Sequence, residues 1–508
     1  MIKHGKLFEK SRSISQKIDE AIINANLAEI KDLVQTIEKD LEKHDAFFRL
    51  HMYYSLATAV SAVGRLERKK EEPISFENLQ KQLFYYRKAI ALFEEEQVKS
   101  ESSIELITMK AVIYTNYGNA LNECGRSIAA IEQYHQALAV CPISAMPSGN
   151  LGMAYMNYAM LLSNNDGYLR DCLNHFAYIF LDLAIESKDP NLFEEARNTF
   201  KSALSLFSLE YLDFLKKDII LPELPRLTKA EKRYREWCVE NSLFLNPLSD
   251  IPYKALEFAF DGLLLPPILT PVESGVPIVI GMYNQLKQEY VSARYAFYES
   301  LDFRSRPHFS DKRTSIAETL EYAQFSLRIE KLKSAYKTLF GILDKIAFFL
   351  NEYFELGIKD RDVNFKTIWQ SEIIGKNGYK FKNTLNYSGN FALRGLYWIQ
   401  QEFEKTTGRF ASQQYVRLKK IRNSLEHRYT IVTMFTKNPD EIPKNKTATY
   451  ISETELYNLT FDLLKIFREA IIYLTLSVTI NEAERVKTSS FDKAITMKVH
   501  QVEDGFKI

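Results

Sequence analysis

Glycine and proline are scarce in this sequence of 508 residues, which contains 18 glycines and 15 prolines. A turn-rich β fold needs more of both residues at its turns, so this scarcity argues against that class. Phenylalanine and tyrosine are plentiful by contrast, at 33 and 29. Their side chains are well suited to packing long helices against one another. We therefore expect an all-α fold.

Cysteine is also rare, and its spacing does not indicate a metal site. The four cysteines, Cys124, Cys141, Cys172 and Cys238, lie far apart and include no C-x-x-C pair. Such spacing indicates neither a disulfide framework nor a zinc site, and is typical of scattered buried thiols in a reducing compartment. We find no convincing cluster of metal ligands elsewhere and expect that the protein uses no metal and no cofactor.

Two further absences concern excess charge and long apolar runs. Lysine and arginine total 66 and aspartate and glutamate 65, a formal net charge of +1, so any surface that binds nucleic acid must be local. The first residues form a charged helical pattern without the apolar core of a signal peptide. The apolar run at 470–480 is too short to span a bilayer. We expect a cytoplasmic protein that does not enter a membrane.

The segment 111–142 has the pattern of two short helices joined by a turn. Aromatic, small and turn-forming residues recur through it: Tyr114, Tyr117, Gly118, Leu121, Gly125, Ala130, Tyr134, Ala137 and Pro142. This pattern resembles the tetratricopeptide repeat, a helix-turn-helix unit with a period of about 34 residues. The small Gly118 and Ala130 predict a close approach of the two helices, and Pro142 predicts the end of the second helix.

Weaker copies of the same pattern flank this segment. They place aromatic and small residues at corresponding positions: Leu56, Ala57, Tyr86, Ala89, Leu151, Gly152, Tyr155, Leu183, Ala184, Ala196, Phe200 and Ala203. We predict three or four repeats within an N-terminal helical solenoid at 1–210. Stacked repeats leave a concave face, which we expect to bind a protein or small-molecule trigger. The alternative is a purely structural spacer.

A proline-rich segment separates the two halves of the chain. Eight of the fifteen prolines fall between Pro222 and Pro277, which argues against regular helices there. The segment is nevertheless strongly apolar, so we predict an ordered, irregular connector at 211–281 rather than a flexible linker. Its Asp250 and Asp261 are conceivable catalytic carboxylates, but roles in turns and helix caps are the favoured interpretation.

Helical periodicity returns in the second half of the chain. We predict a helical domain at 282–490, followed by a C-terminal tail at 491–508. The apolar pattern places its helices at about 282–301, 315–354, 385–406, 412–435 and 453–485. The fourth of these carries the densest group of polar, chemically active side chains in the sequence, the nonapeptide Ile421-Arg422-Asn423-Ser424-Leu425-Glu426-His427-Arg428-Tyr429.

A helical wheel separates this group from the apolar face of its helix. Leu418, Ile421, Leu425 and Val432 fall within about 60° of one another and form the core-facing side. Asn423 and His427 are four residues apart, so they lie one above the other and point away from that side.

Arg422 lies about 140° from His427 on the same wheel. Its long side chain, or a second copy of the motif, must close this gap if the two residues act on one phosphate. A plainer interpretation is also open: Glu426, four residues after Arg422, forms a surface ion pair with it, worth about 0.3–0.5 kcal/mol.

The sequence Arg422-Asn423-x-x-x-His427, on the penultimate helix of a helical domain, resembles the signature of HEPN domains. That signature is an arginine, four to six residues and a histidine, usually with a polar residue directly after the arginine. The continuation His427-Arg428-Tyr429 matches a common extension of it. The segments 243–248 and 287–295 look like elements of a bacterial HEPN subclass fused to tetratricopeptide repeats.

The resemblance implies a C-terminal HEPN helical bundle that acts as a metal-independent endoribonuclease. Many HEPN proteins are toxins or defence effectors that cleave RNA as dimers, so we expect a homodimer or higher oligomer, an RNA substrate, and a role in phage defence or a toxin-type stress response. The repeat half would sense or regulate. The alternative is a non-catalytic HEPN and repeat scaffold that binds nucleotides or proteins.

The residue roles follow from the same resemblance and from the chemistry of RNA. His427 is the expected general acid or base, since imidazole exchanges protons near neutral pH. Arg422 is expected to hold the scissile phosphate and stabilise charge in the transition state, and Asn423 to orient the imidazole or contact phosphate. Tyr429 is a supporting or modifiable residue, with packing at the edge of the core as the alternative. Three cations are expected to attract the RNA backbone: Lys419, Lys420 and Arg428.

Overall fold

The computed structural model describes residues 2–68, 76–99, 103–162, 167–271, 275–301, 307–318, 322–374, 380–403, 413–435, 447–488, 494–497 and 502–507. The fold is all-α, as predicted, with only short two-stranded sheets in the described residues. Its contacts divide the chain into two units, Met1–Met160 with Gly167–Ile220 and Leu221–Thr406 with Ser412–Ile508. The predicted domain boundaries stay predictions, although most of the predicted connector groups with the second unit.

The first unit contains a succession of helices. They are α1 (Ile2–Ile23), α2 (Leu27–Asp40), α3 (Ala46–Glu67), α4 (Phe76–Leu92), α5 (Glu96–Lys99), α6 (Ile104–Glu123), α7 (Ser127–Val140), α8 (Ala145–Leu161), α9 (Gly167–Glu186), α10 (Glu194–Leu204) and α11 (Leu209–Leu215). Neighbours along the chain pack together, most extensively α3 with α4 and α6 with α7. The buried faces of α1, α2 and α3 form an apolar cluster of Ile18, Ala21, Ile30, Ala59, Ala62 and Val63.

The α6–α7 pair confirms the close approach that the sequence predicts. A Cβ atom built on Gly118 would lie 2.5 Å from Cε1 of Tyr134, so only glycine fits there. The turn between the helices contains Gly125 at φ +79°, a left-handed conformation that favours glycine. Ala130 is fully buried, and α7 ends at Val140, two residues before Pro142. Assignment of these pairs to the tetratricopeptide repeat stays a prediction.

The second unit is built around six helices of the described residues. They are α12 (Lys229–Glu240), α13 (Ile278–Ser300), α14 (Leu327–Tyr353), α15 (Phe391–Phe403), α16 (Gln413–His427) and α17 (Glu453–Thr488). Helix α17 is central, because α13, α14 and α15 all pack against it. The apolar run at 470–480 lies within α17 and is largely buried. No helix in the described part of the chain is long and apolar enough to cross a membrane.

Three short sheets join segments of this unit that are distant in sequence. Strand β1 (Ile268–Pro271) pairs antiparallel with β6 (Ala494–Met497), which lies in the predicted tail. Strands β2 (Glu372–Ile374) and β3 (Lys380–Lys382) form an antiparallel pair. Strands β4 (Tyr429–Thr433) and β5 (Ala448–Ser452) pair in parallel, and β5 leads directly into α17.

Two predicted helices begin later than the periodicity suggests. The helix predicted at 315–354 starts at Leu327, where the hydroxyl of Ser326 caps the backbone N–H of Ile329. The helix predicted at 385–406 starts at Phe391, and Asn390 accepts hydrogen bonds from the two N–H groups of Ala392 and Leu393. Both helices thus begin at a side-chain cap and not where the apolar spacing begins. The predicted end of the second helix, at 406, lies outside the described residues.

The prediction of a helix at 412–435 is wrong in its second half, because α16 ends at His427 and residues 429–433 form β4. Tyr429 to Thr433 are aromatic or β-branched residues, which favour strands. Their backbone groups pair with β5 on one side, and the N–H of Gln324 donates to the carbonyl of Val432 on the other. Pairing with distant backbone therefore overrides the helical spacing of these residues. The predicted start of the helix, residue 412, lies outside the described residues.

Candidate active site at the end of helix α16

Helix α16 is held in place by its apolar face. Leu418 and Ile421 are fully buried, as the wheel predicts, and Val432 is buried as well, although it lies on β4. The hydroxyl of Tyr336, on α14, donates a 2.6 Å hydrogen bond to the carbonyl of Leu418. Leu425 is only half-buried. The apolar face therefore fixes which residues of α16 are turned towards solvent.

The last turn of α16 is tied to the strand that follows it. The N–H of Arg428 donates to the carbonyl of Ser424 at 2.9 Å, the final hydrogen bond of the helix. The hydroxyl of Thr430 donates to that of Ser424 at 2.8 Å, and Ser424 also bonds the carbonyl of Tyr429. These bonds fix the change from helix to strand directly after His427. The carbonyl end of a helix carries partial negative charge, which favours a cation nearby.

Arg422 and His427 meet through Glu426. Nε of Arg422 lies 2.9 Å from Oε2 of Glu426, and Nε2 of His427 lies 3.6 Å from the same oxygen. The long arginine side chain thus closes the gap of about 140° within one chain. The ion pair of Arg422 with Glu426, which the sequence offers as the plainer interpretation, is present as well. The two interpretations are compatible, because one carboxylate serves both side chains.

These side chains differ in exposure. The imidazole of His427 is 70% exposed, whereas the side chains of Arg422 and Glu426 are 33% and 26% exposed. Asn423 is exposed, and its Oδ1 lies 3.4 Å from Nη1 of Arg422, which places it beside the guanidinium. The arrangement offers an accessible proton-exchanging group next to a positioned cation, a combination suited to acting on a phosphodiester.

The remaining predicted site residues lie around this group. Tyr429 is 76% exposed at the start of β4, so the alternative that it packs at the edge of the core is wrong. Lys420 and Arg428 are exposed and Lys419 is half-buried. All three lie on α16 or directly after it. Within the described residues, no group of three or more histidine, cysteine, aspartate or glutamate side chains is arranged to hold a metal ion.

Asp250 has a structural role that the sequence does not reveal. Its carboxylate forms two hydrogen bonds with Arg468 of α17, at 2.7 and 2.8 Å, and both side chains are buried. Nε and Nη2 of Arg468 also donate to the carbonyls of Phe244 and Asn246. The prediction of a turn or cap role for Asp250 is therefore incomplete. The pair clamps the irregular connector onto the central helix.

Asp261 forms a second pair of the same kind. Its carboxylate accepts two hydrogen bonds from Arg294 of α13, at 2.8 and 2.7 Å, and one from the N–H of Leu245. Burial alone would raise the pKa of Asp261, but the charge and hydrogen bonds of Arg294 outweigh it, so the pKa lies below its usual value. Nη1 of Arg294 and the hydroxyl of Tyr290 both donate to the carbonyl of Leu243.

These contacts join two segments that are distant in sequence, 243–248 and 287–295. The segment 243–248 supplies backbone carbonyls, and the segment 287–295 supplies Tyr290 and Arg294, which bind one of them. Lys287 donates to the carbonyls of Asp261 and Leu263 in the same region. The two segments therefore form one buried polar network and take no part in the candidate active site.

The first unit contains a cavity of about 1250 Å³. Its lining is largely apolar and includes Ile143, Leu183 and Phe193, which are all well exposed to solvent. Asp182 and Glu186, one turn apart on α9, add negative charge to it. A concave apolar surface with a few polar groups is typical of a ligand or partner site.

Comparison with known families supports the assignment of the C-terminal half. Residues 270–481 match the family described as LA2681-like HEPN, which supports a HEPN domain in this part of the chain. The matched region includes α13 to α16, the whole Arg-x4-His motif and most of α17. No curated protein and no solved structure matches the chain.

Sequence reasoning missed the contact between Glu426 and His427 and the two buried arginine pairs. Glu426 was recognisable as a partner of Arg422 from its i+4 spacing. Its contact with the adjacent His427 depends on side-chain rotamers at the helix end, which no spacing encodes. The pairs of Asp250 and Asp261 join residues 218 and 33 positions apart. An aspartate in an apolar, proline-rich segment was the one available signal, because a buried carboxylate needs a partner.

Proposed function

We propose that this chain is a metal-independent endoribonuclease whose active site is formed by Arg422 and His427, with Asn423 beside them. The observation that carries the proposal is the contact of both side chains with the single carboxylate of Glu426, on an accessible helix end inside the region that matches a HEPN family. The arrangement joins a guanidinium for binding phosphate to an imidazole for transferring protons.

The chemistry needs no nucleophile from the protein, because RNA carries its own 2′-OH. An imidazole takes the proton of that hydroxyl, the 2′-oxygen attacks the adjacent phosphorus, and the bond to the 5′-oxygen breaks with proton transfer to the leaving oxygen. Arg422 stabilises the negative charge that develops on the phosphoryl oxygens. The products are a 2′,3′-cyclic phosphate and a 5′-OH end. Lys419, Lys420 and Arg428 attract the RNA backbone, and Tyr429 is a supporting or modifiable residue.

The assembly and regulation that we propose extend this function. The exposure of His427 leaves it accessible to a second motif helix, so we propose a homodimer in which two copies share one RNA cleft. The first unit is proposed to be a tetratricopeptide-repeat sensor, whose largely apolar cavity takes a protein or small-molecule trigger. The proposed setting is cytoplasmic, in phage defence or a toxin-type stress response.

The test is cleavage of labelled RNA by the purified full chain, with chelator present. The parent chain is expected to produce fragments with 2′,3′-cyclic phosphate ends in the presence of EDTA. His427→Ala is expected to lower the rate by about 10²–10⁴, the usual contribution of a general acid or base. Equal cleavage by His427→Ala would refute the assignment. If the parent binds RNA or a nucleotide but does not cut, the non-catalytic scaffold is the better function.

A further inference from the structure

We propose that Glu426 is the positioning residue of this site, an inference that rests on the proposed ribonuclease function. One oxygen of its carboxylate, Oε2, contacts both Nε of Arg422 and Nε2 of His427. By this contact Glu426 orients the guanidinium and the imidazole relative to each other within one chain. The alternatives to this role are a surface ion pair that has no effect on catalysis and a carboxylate that competes with phosphate for Arg422.

The contact with His427 is not a routine consequence of helix geometry. Residues four apart on a helix are neighbours, so the pair of Arg422 with Glu426 is expected from spacing alone. Adjacent residues such as Glu426 and His427 point about 100° apart and do not face each other. The imidazole must turn back over the carboxylate for its Nε2 to come within 3.6 Å. It does so at the last residue of the helix, where the following backbone leaves for β4.

The geometry also assigns which atoms remain for the substrate. Glu426 approaches Arg422 at Nε, whereas the edge of the guanidinium formed by Nη1 and Nη2 has its described contact with Oδ1 of Asn423, 3.4 Å from Nη1. This edge is the one that binds two phosphate oxygens side by side. Nε2 of His427 lies 3.6 Å from the same carboxylate, which keeps the imidazole beside the guanidinium. Arg422 and His427 can then act on the same phosphodiester.

Helix α16 supplies a matched control for this role. Arg417, also on α16, is held at its Nε by Oε1 of Glu455 at 2.6 Å, and the side chains are 30% and 35% exposed. The two pairs have similar exposure and lie on a common helix, and Arg417 in addition donates a second hydrogen bond, from Nη2 to Oε2 of Glu455 at 3.1 Å. They differ in that Glu455 contacts no motif residue in the described contacts, whereas Glu426 contacts two. Glu455→Gln should therefore have the structural effect of Glu426→Gln without its catalytic effect.

The experiment measures steady-state RNA cleavage by the full chain with Glu426→Gln and Glu455→Gln. We expect kcat of Glu426→Gln to fall on the order of 100-fold, as when a reacting group is misplaced by about 1 Å, with KM almost unchanged. Glu455→Gln should keep the parent's kcat. Thermal melts of both variants should lie close to that of the parent, because exposed ion pairs contribute little to stability. Added formate should partly restore the kcat of Glu426→Ala and leave that of His427→Ala unchanged.

The outcomes separate this inference from the proposed function. If the parent cuts RNA, His427→Ala does not, and Glu426→Gln keeps the parent's kcat, the positioning role is overturned and the ribonuclease stands. A Glu426→Gln variant that is faster or has a lower KM than the parent would also overturn it, since the carboxylate would then compete with phosphate. A parent chain that cuts no RNA overturns the proposed function, and the inference with it.

Discussion

The second unit contains arginine–carboxylate pairs in two settings, and burial separates their roles. Arg468 with Asp250 is buried on both sides, and Arg294 with Asp261 nearly so. Each of these arginines also binds backbone carbonyls, so all of its donors serve the fold. Arg422 with Glu426 is partly exposed, and Nη1 of its guanidinium lies 3.4 Å from Oδ1 of Asn423. The same chemical pair thus clamps the fold in one place and, in the function that we propose, presents a cation to a substrate in the other.

The buried and exposed pairs also differ in the free-energy cost of losing the carboxylate. A buried arginine that loses its carboxylate stays in a medium of low polarity as an unpaired charge, which is costly. An exposed arginine that loses its carboxylate is solvated by water, so the loss is small. We therefore expect the buried pairs to control stability without touching the chemistry, and the exposed pair to control the chemistry with little effect on stability.

The largest effect is expected from breaking the buried pair of Asp250 with Arg468. Asp250→Asn keeps the shape of the side chain and removes its charge, which leaves Arg468 unpaired, and should lower the free energy of unfolding by about 3–5 kcal/mol. Urea denaturation of the full chain, followed by circular dichroism, measures this change. Asp504→Asn, which removes an exposed partner of Lys507, is the control and should be indistinguishable from the parent. An equally stable Asp250→Asn would show that the clamp is dispensable.

The next effect is expected from removing the exposed motif arginine. Arg422→Ala should reduce kcat for RNA cleavage by about 10²–10³, the usual loss for one group that stabilises a developing oxyanion. Its unfolding curve should match that of the parent. Arg417→Ala, five residues earlier on the same helix, is the control and should cut RNA at the parent's rate. Equal losses in both variants would indicate that α16 has been disturbed as a whole and would remove the distinction between the two kinds of pair.

The smallest effect is expected on stability when the pH is lowered. The pKa of Asp261 in the folded chain lies below its usual value, so the unfolded chain takes up the proton first as the pH falls. The stability from this group is therefore complete above about pH 4 and is lost as the pH falls through the pKa of the folded state. The melting temperature of the parent should decline below about pH 4 more steeply than that of Asp261→Asn, which has no carboxyl to protonate. Parallel declines would contradict the contribution of Asp261.

Much of the fold was predictable because it follows from local rules. The buried stripe of α14 was visible at helical spacing, and the close approach of α6 and α7 followed from the small residue Gly118. The wheel of α16 placed Leu418 and Ile421 in the core and His427 away from that face, and the structure agrees. These predictions depend on residues a few positions apart, which the helix itself brings together.

The rest depends on partners that are distant in sequence. Residues 429–433 become a strand because β5 and the backbone of Gln324 pair with them, and no window around the motif contains those partners. The clamp of Asp250 needs Arg468, which lies on the last long helix. At the candidate site, sequence identified Arg422, Asn423 and His427 as a group, but the shared oxygen of Glu426 depends on how two side chains turn.

The parallel pairing of β4 with β5 connects the end of α16 to the start of α17. Strand β4 begins two residues after His427, and β5 ends where α17 begins. The end of α16 is therefore anchored through a strand register to the most buried helix of the unit. A shift of this register by a single residue would turn every side chain of β4 to its opposite face and carry His427 with it. The register of this strand pair therefore determines where the candidate catalytic histidine lies.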